Sequence, residues 1–468
     1  MMDKLTAFVQ EHMGDDLTRL VLDRKKWPDI DIDLAVSCIQ SRRKLKGKVQ
    51  EWFSNPSLIF PAGLSAEQCS STATAVYKAG LAARIASSDG DMDAALENLR
   101  GGWRLADLTG GLGVDSWMFS KFASEVLYNE MQEKLCMAAE HNFKALGADN
   151  IRISNQIAAP GTIMEILGDF GANIIYMDPA RRGEGGKKVF LIEECTPDVL
   201  TLKDIIFERC RHILLKLSPM ADITMVCDRL GSSCRQVHVV ATGGECKELL
   251  IWMDREWEGE YEVVAVELPA GYPDVEPAKF SFKVSEEKIS PLTLFGRNDI
   301  MPSLASREDT TQASRENTTL ASRENTTLAS REDTTLASRE ESRDLPHYLF
   351  EPGKALMKAG CYNLISERFG LHKLGRSTHY YITEDATKAE TLKQLGKVYE
   401  IIDCQPLDKR SMKAAGKDYP RAEVTARNIP MDTDTFRKKL GVSSGDDAHI
   451  FGLKSDAHGN LLIITRRR

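Results

Sequence analysis

The stretch Gln236-Val237-His238-Val239-Val240-Ala241-Thr242-Gly243-Gly244-Glu245-Cys246-Lys247-Glu248-Leu249-Leu250-Ile251-Trp252-Met253-Asp254 decides the fold. Its two apolar, β-branched runs, QVHVVAT and KELLIWMD, are separated only by Gly243, Gly244, Glu245 and Cys246. Parallel neighbours in a sheet need about a dozen connecting residues, so this link holds no crossover helix. The second run must therefore turn back as a hairpin arm. Upstream, from 101 to about 256, five more short runs alternate with helical stretches: RLADLT, EVLYNE, NIRIS, NIIYMDP and HILLKLS. The whole series predicts one α/β domain with a doubly wound, mostly parallel sheet of seven strands, the last of them reversed.

The strand ends carry the chemistry. The first strand runs into Ala106-Asp107-Leu108-Thr109-Gly110-Gly111-Leu112-Gly113-Val114-Asp115. Glycines there let the backbone approach a ligand closely, and an acid at the strand tip accepts hydrogen bonds or offsets a positive charge. The GxGxxG dinucleotide fingerprint is absent. Asp107 and Asp115 would repel a pyrophosphate and favour a cationic ligand, which fits S-adenosylmethionine with its sulfonium and ammonium groups. Glu130 follows Asp107 by 23 residues at the end of the second strand, where an acid typically holds ribose hydroxyls. The third strand ends at Ser154 and Asn155, where the Asn155 carbonyl would meet an adenine amine or simply form a turn.

At the tip of the fourth strand stands Met177-Asp178-Pro179-Ala180-Arg181-Arg182-Gly183. The Asp178 carboxylate and neighbouring carbonyls would accept hydrogen bonds from an amino group and take up its developing charge, with Pro179 fixing the turn. Arg181 and Arg182 would grip a phosphate or carboxylate, or else stand as solvated loop charges. Lys216-Leu217-Ser218-Pro219 ends the fifth strand at the same sheet edge. All five signals fall beyond the carboxyl ends of the strands, where open α/β sheets bind ligands.

The flanks differ in texture. Residues 1 to about 100 show helix-period apolar positions such as Leu5, Phe8 and Val9, which predicts a helical N-terminal domain. In it, the Gln68-Cys69-Ser70-Ser71 turn would serve as a lid, or as an ordinary helix cap with a buried cysteine. Past residue 260 come two strand-like runs, YEVVAVELP and AKFSFKV, and then five near-copies of an octapeptide from Ser303 to Ser342. With one Leu or Gln per eight residues, the repeats bury too little to offset ordering entropy, so they read as a disordered or loosely helical insert, with a binding tail as the alternative. Beyond the insert, KALMKAGCYNLISERFG reads as a helix, HYYITE and GKVYEIID as strands, and the C-terminal segment as strand, helix, strand, strand.

Composition narrows the class. The chain has 468 residues and a formal charge of −8, so bulk attraction to nucleic acid is excluded and a local basic face is not. From Lys397 to Arg468 there are 14 Lys and Arg against 10 Asp and Glu, a balance of +4 that places any nucleic-acid contact there first. No apolar stretch approaches the roughly 18–20 residues of a membrane span, and the first residues hold no signal-like block, so the expectation is a cytoplasmic protein. The ten cysteines form no CxxC pair and the nine histidines no HExxH, so they read as reduced core residues and scattered histidines with no metal site.

Residues 101–258 resemble the class I S-adenosylmethionine-dependent methyltransferases. DLTGGLGVD is similar to their glycine motif, Glu130 to their ribose acid, and DPAR to a variant of their (D/N)PP(Y/F) tetrapeptide. LSAEQCSSTATAVYKAGLAAR, EPGKALMKAG and GRSTHYYIT resemble a bacterial methyltransferase family with a ferredoxin-like segment and a THUMP-like C-terminal domain. The resemblance implies a Rossmann-like seven-stranded domain at 101–258, a helical domain at 1–100, a ferredoxin-like α+β segment at 259–395 carrying the 303–342 insert, and a THUMP-like domain at 396–468. It implies S-adenosylmethionine held by Asp107, Thr109, Gly110, Gly111, Gly113, Asp115, Glu130 and Asn155. Asp178, Pro179 and Arg181 would be the catalytic residues, and an rRNA or tRNA the partner. DPAR departs from the tetrapeptide by losing its stacking aromatic, for which Phe190 or Tyr77 would have to stand in. LKLSPM offers no thiol for carbon-5 pyrimidine methylation, so transfer to a nitrogen, a purine amine above all, is the expectation. The rival readings are a methyltransferase for a protein or small molecule, and a catalytically silent RNA-binding scaffold.

Overall fold

The computed structural model describes residues 2–87, 101–181, 192–289 and 347–467. The octapeptide insert, Arg182, Phe190, Arg468 and the side chain of Arg181 lie outside the described residues. Two compact units divide the chain, Met1–Val284 and Ser285–Arg468.

The first unit is built on a nine-stranded sheet. Its strands are β1 (Gly101–Asp107), β2 (Ala123–Asn129), β3 (Ile151–Ser154), β4 (Ile174–Met177), β7 (His212–Leu217), β8 (Cys234–Thr242), β9 (Glu245–Asp254), β10 (Glu262–Leu268) and β11 (Ala278–Lys283), with a separate short pair, β5 (Ala180–Arg181) and β6 (Cys195–Thr196). The spatial order is β11-β10-β8-β9-β7-β4-β1-β2-β3. From β3 through β2, β1 and β4 to β7 every pairing is parallel. The expected reversed strand is β9, antiparallel to β8 and to β7 and inserted between them. Its hairpin turns on Gly243 and Gly244, with φ +61° and +79°, the left-handed pair that a two-residue type I′ turn demands.

Two expectations are corrected here. The runs YEVVAVELP and AKFSFKV do not open the next domain. They form β10 and β11, and β10 pairs in parallel with β8 over Glu262–Leu268. Val263, Val264, Ala265 and Val266 are buried in succession, the pattern of a strand covered on both faces, and only the existing sheet offers that cover. All seven expected strands are present, β10 and β11 extend their sheet to nine, and the unit runs to residue 284 rather than 258. The N-terminal helices, from Met2–Glu11 through Ile32–Leu45 to Thr72–Ala86, are likewise not a domain apart. Trp52 packs edge-on against Trp117 at 5.9 Å, and one continuous core runs from Phe8, Ile39 and Trp52 to Leu105, Tyr128 and Leu250.

The second unit holds a seven-stranded sheet in the order β13-β14-β12-β15-β18-β17-β16. These strands are β12 (Tyr348–Pro352), β13 (His372–Lys373), β14 (Tyr381–Thr383), β15 (Gly396–Pro406), β16 (Arg421–Arg427), β17 (Ser443–Ser455) and β18 (Gly459–Arg467). The stretch expected as one helix is two, Lys354–Ala359 and Tyr362–Phe369. Gly360, at φ +81°, ends the first in a left-handed cap. The Glu287 carboxylate then accepts hydrogen bonds from the Asn363 and Leu364 N–H groups at the start of the second. The expected border at 395/396 falls inside this sheet, because β12 pairs with β15 from Tyr348–Glu400 to Pro352–Gly396. Among the described residues no helix is long and apolar enough to cross a membrane.

Candidate active site

The carboxyl ends of β1, β2, β4 and β7 converge on a cavity of about 660 Å3. Asp107 closes β1 and is almost wholly buried. One of its oxygens accepts from the Thr109 N–H at 3.0 Å and the other from the Ser116 hydroxyl at 2.5 Å. Burial pushes this carboxyl up to about 7, against the lowering effect of those hydrogen bonds. Asp107 therefore ties the glycine turn together at the cavity wall.

Gly110, Gly111 and Gly113 line the cavity, and two of them are also required by the protein's own packing. A Cβ on Gly110 would meet the Tyr128 ring at 2.2 Å, and one on Gly113 would meet Phe143 at 2.8 Å, so the close approach at these two is to the protein's own aromatics. Gly113 also has φ +94° and Gly111 φ +55°, where side chains are strained. Thr109 links two strand tips, its hydroxyl oxygen accepting the Asp178 N–H at 2.6 Å.

Glu130 follows β2 and faces the cavity. Its two oxygens accept from the Gly111 N–H at 3.0 Å and the Gln132 N–H at 2.9 Å, which fixes the carboxylate and leaves each oxygen further acceptor capacity. Asn155 is not on the cavity wall: its amide donates to the Glu130 carbonyl at 2.7 Å, and Gln156, Ile157 and Ala158 line the cavity instead. Tyr77 is corrected as a stacking aromatic, since it is buried with its hydroxyl on His238 Nδ1 at 2.7 Å, away from the cavity. The turn at Gln68, Cys69 and Ser70, with Cys69 half-buried, stands at the cavity and at a helix start. It lines the cavity, and Ser71 caps the helix Thr72–Ala86 in a box with Thr74.

Asp178, just past β4, presents a partly exposed carboxylate to the cavity beside Pro179 and Ala180. One of its oxygens is held by the Lys216 ammonium from β7. Behind Lys216 stands a buried charge cluster. The Lys78 ammonium lies 2.9 Å from both Glu248 oxygens, donates to Ser70 Oγ at 2.9 Å, and stands 3.4 Å from Asp115. Asp115 also accepts from the Ser70 and Tyr176 hydroxyls, both at 2.9 Å. Burial would raise the Asp115 carboxyl, but Lys78 and Lys216 outweigh it and the net shift is downward. Glu248 stays raised by burial despite the same two lysines. Burial would also lower Lys216, yet Asp178, Asp115 and Glu248 hold its ammonium well above the ordinary lysine range.

The motif reading missed Lys78 and Glu248, and it placed Lys216 at the sheet edge without giving it a role. Lys78 and Glu248 are buried within TATAVYKAGLAARIA and ECKELLIWMD, and Lys216 stands among the apolar residues of HILLKL. Charges inside buried elements are rarely tolerated unless paired, and that was the available signal.

A parallel run of five strands with a reversed strand next to it, glycine turn and acids at the carboxyl edge, defines the class I methyltransferase fold. The whole chain is similar to a candidate methyltransferase from Porphyromonas gingivalis W83, at 24% identity and a TM-score of 0.73, covering 100% of this chain and 98% of that one. Family profiles match a ferredoxin-like domain at residues 348–389 and a THUMP domain-like segment at 396–467. The chain thus combines the methyltransferase fold with ferredoxin-like and THUMP-like parts. Partial similarities join it to an rRNA methylase from Streptococcus thermophilus (11% identity, TM-score 0.27, 37% of this chain and 94% of that one) and to a candidate methyltransferase from Streptococcus mutans in complex with SAH (14%, 0.26, 37% and 96%). A comparison with curated proteins returns no match.

Proposed function

We propose that the chain is an S-adenosylmethionine-dependent methyltransferase acting on a nitrogen of an RNA base, with a purine amine as the favoured acceptor. The observation that carries this reading is the acceptor-only Asp178 carboxylate, open to the same cavity that the glycine turn and Glu130 line. The donor set fits the cofactor. Glu130 is fixed by two backbone amides with acceptor capacity left for ribose hydroxyls. The helix at Val114 opens with Asp115 in its first turn, which disfavours a pyrophosphate. Three carboxylates, Asp115, Asp178 and Glu248, stand with two ammonium groups, Lys78 and Lys216, so the cluster keeps one negative charge in excess for a cationic ligand.

When bound, S-adenosylmethionine supplies an electrophilic methyl group on a sulfonium. Asp178 accepts a hydrogen bond from the acceptor amine, which orients its lone pair and stabilises the positive charge developing on nitrogen. Thr109 holds the Asp178 backbone in place. The THUMP-like match at 396–467 and the +4 balance after Lys397 support RNA as the substrate. None of the ten cysteines, all of them among the described residues, forms a disulfide, which supports a reducing compartment such as the cytoplasm.

The test follows label from tritiated S-adenosylmethionine into the RNA, protein and small-molecule fractions of cells lacking this chain. Transfer to RNA is expected, and Asp178→Asn should lower it by about 10²-fold or more while calorimetric binding of S-adenosylhomocysteine survives. Label in protein or in small molecules, or none anywhere, would overturn the RNA reading.

A further inference from the structure

We propose that Lys216 is a positioning residue for Asp178, holding one carboxylate oxygen so that the other faces the substrate amine. The inference rests on the reading of Asp178 as the amine acceptor. An exposed aspartate at a strand tip is free to rotate and to present either oxygen. Here one oxygen is taken by an ammonium that comes from the neighbouring strand β7. A cation beside the acceptor would by itself oppose a developing positive charge. The buried cluster answers that difficulty, because Asp115 and Glu248 leave the five-group ensemble with its single negative excess.

The groups facing this pair come from every surrounding element. Asp107 on β1 and Tyr176 on β4 face Asp178. Asp115 and Glu248 face Lys216, and Lys48 and Cys69 of the N-terminal helical region lie within its Coulombic reach. Lys48 spends its ammonium on the carbonyls of Ala66 and Glu67. Among these, Lys216 is the cation that touches Asp178. Lys78, on a helix of the N-terminal region, reaches the same cluster through Ser70, Asp115 and Glu248, so that region helps to build the site.

The experiment compares wild type, Lys216→Met and Lys216→Arg in methyl transfer from tritiated S-adenosylmethionine to total RNA of cells lacking this chain, across pH. In Lys216→Met the acid limb of kcat/KM should move up by about one pH unit or more, with rate lost by about 10-fold at neutral pH, and Lys216→Arg should bring the limb back. A merely structural lysine would lower the rate without moving the limb, and that result would overturn the proposal. A second measurement does not need turnover: 15N resonances of lysine-labelled protein, with the Lys216 signal assigned by its loss in Lys216→Arg. That signal should stay in the ammonium form above the ordinary lysine range in wild type and titrate earlier in Asp178→Asn. A Lys216 signal indifferent to Asp178→Asn would equally overturn it. If wild type transfers no label to RNA but the resonance responds, the functional reading fails and the ion pair stands. Should Lys216→Met not fold, the resonance comparison decides alone.

Discussion

Asp107 is a carboxyl whose burial raises it to about 7, whereas in an unfolded chain it would titrate near 3.8. The native state therefore holds a proton that the unfolded state has released between those values, and stability falls as pH rises through that window. The contribution is fully present below about pH 4 and gone above about pH 7. Asp107→Asn keeps the shape without the titration. Thermal melts from pH 4 to 8 should show wild type losing stability faster than the variant, and parallel curves would refute the burial argument. Gly110→Ala belongs to the same scale. A Cβ at 2.2 Å from the Tyr128 ring must displace a buried side chain, at a cost of about 1–3 kcal/mol or more, read as a lower urea midpoint. The glycine turn and the acids were legible in the sequence because strand-end acids and glycines mark a site locally. The reason for Gly110 and Gly113 was not, since Tyr128 and Phe143 reach them only through the fold.

At the scale of elements, local pairings were legible and distant ones were not. The β8–β9 hairpin followed from a four-residue link, and the reversed strand came with it. That β10 continues the sheet beside β8 depends on a pairing no short window contains, so these strands read as the start of another domain. The N-terminal helices show the same difficulty. Their apolar period was visible, but the period does not say what the apolar face covers. Here it shares one core with the sheet, with Trp52 buried against Trp117 of the helix Val114–Ser120 and against Phe60. Trp52→Ala should thus destabilise the whole first unit by about 3–5 kcal/mol in a single urea transition. A separate early transition of the helical region, with the sheet unaffected, would contradict the shared core.

The two compact units predict how the chain tolerates being cut. Among the described residues, those lining the cavity run from Ser65 to Lys247, and the last strand of the first sheet ends at Lys283. A chain ended at residue 284 keeps that sheet and its core complete. A chain ended at residue 395 keeps more sequence but divides the second sheet, because β12 loses β15 along its length. The cluster around Leu349, Leu374 and Ile382 also loses Tyr399, Phe451 and Ile463. The apolar surface and bare strand edge left behind favour aggregation. The shorter chain should therefore remain soluble and bind S-adenosylhomocysteine with the affinity of the full chain, while the longer one aggregates. Calorimetry and light scattering on the two truncations check this, and a soluble, well-folded chain ending at 395 would show that the ferredoxin-like and THUMP-like parts do not depend on a common sheet.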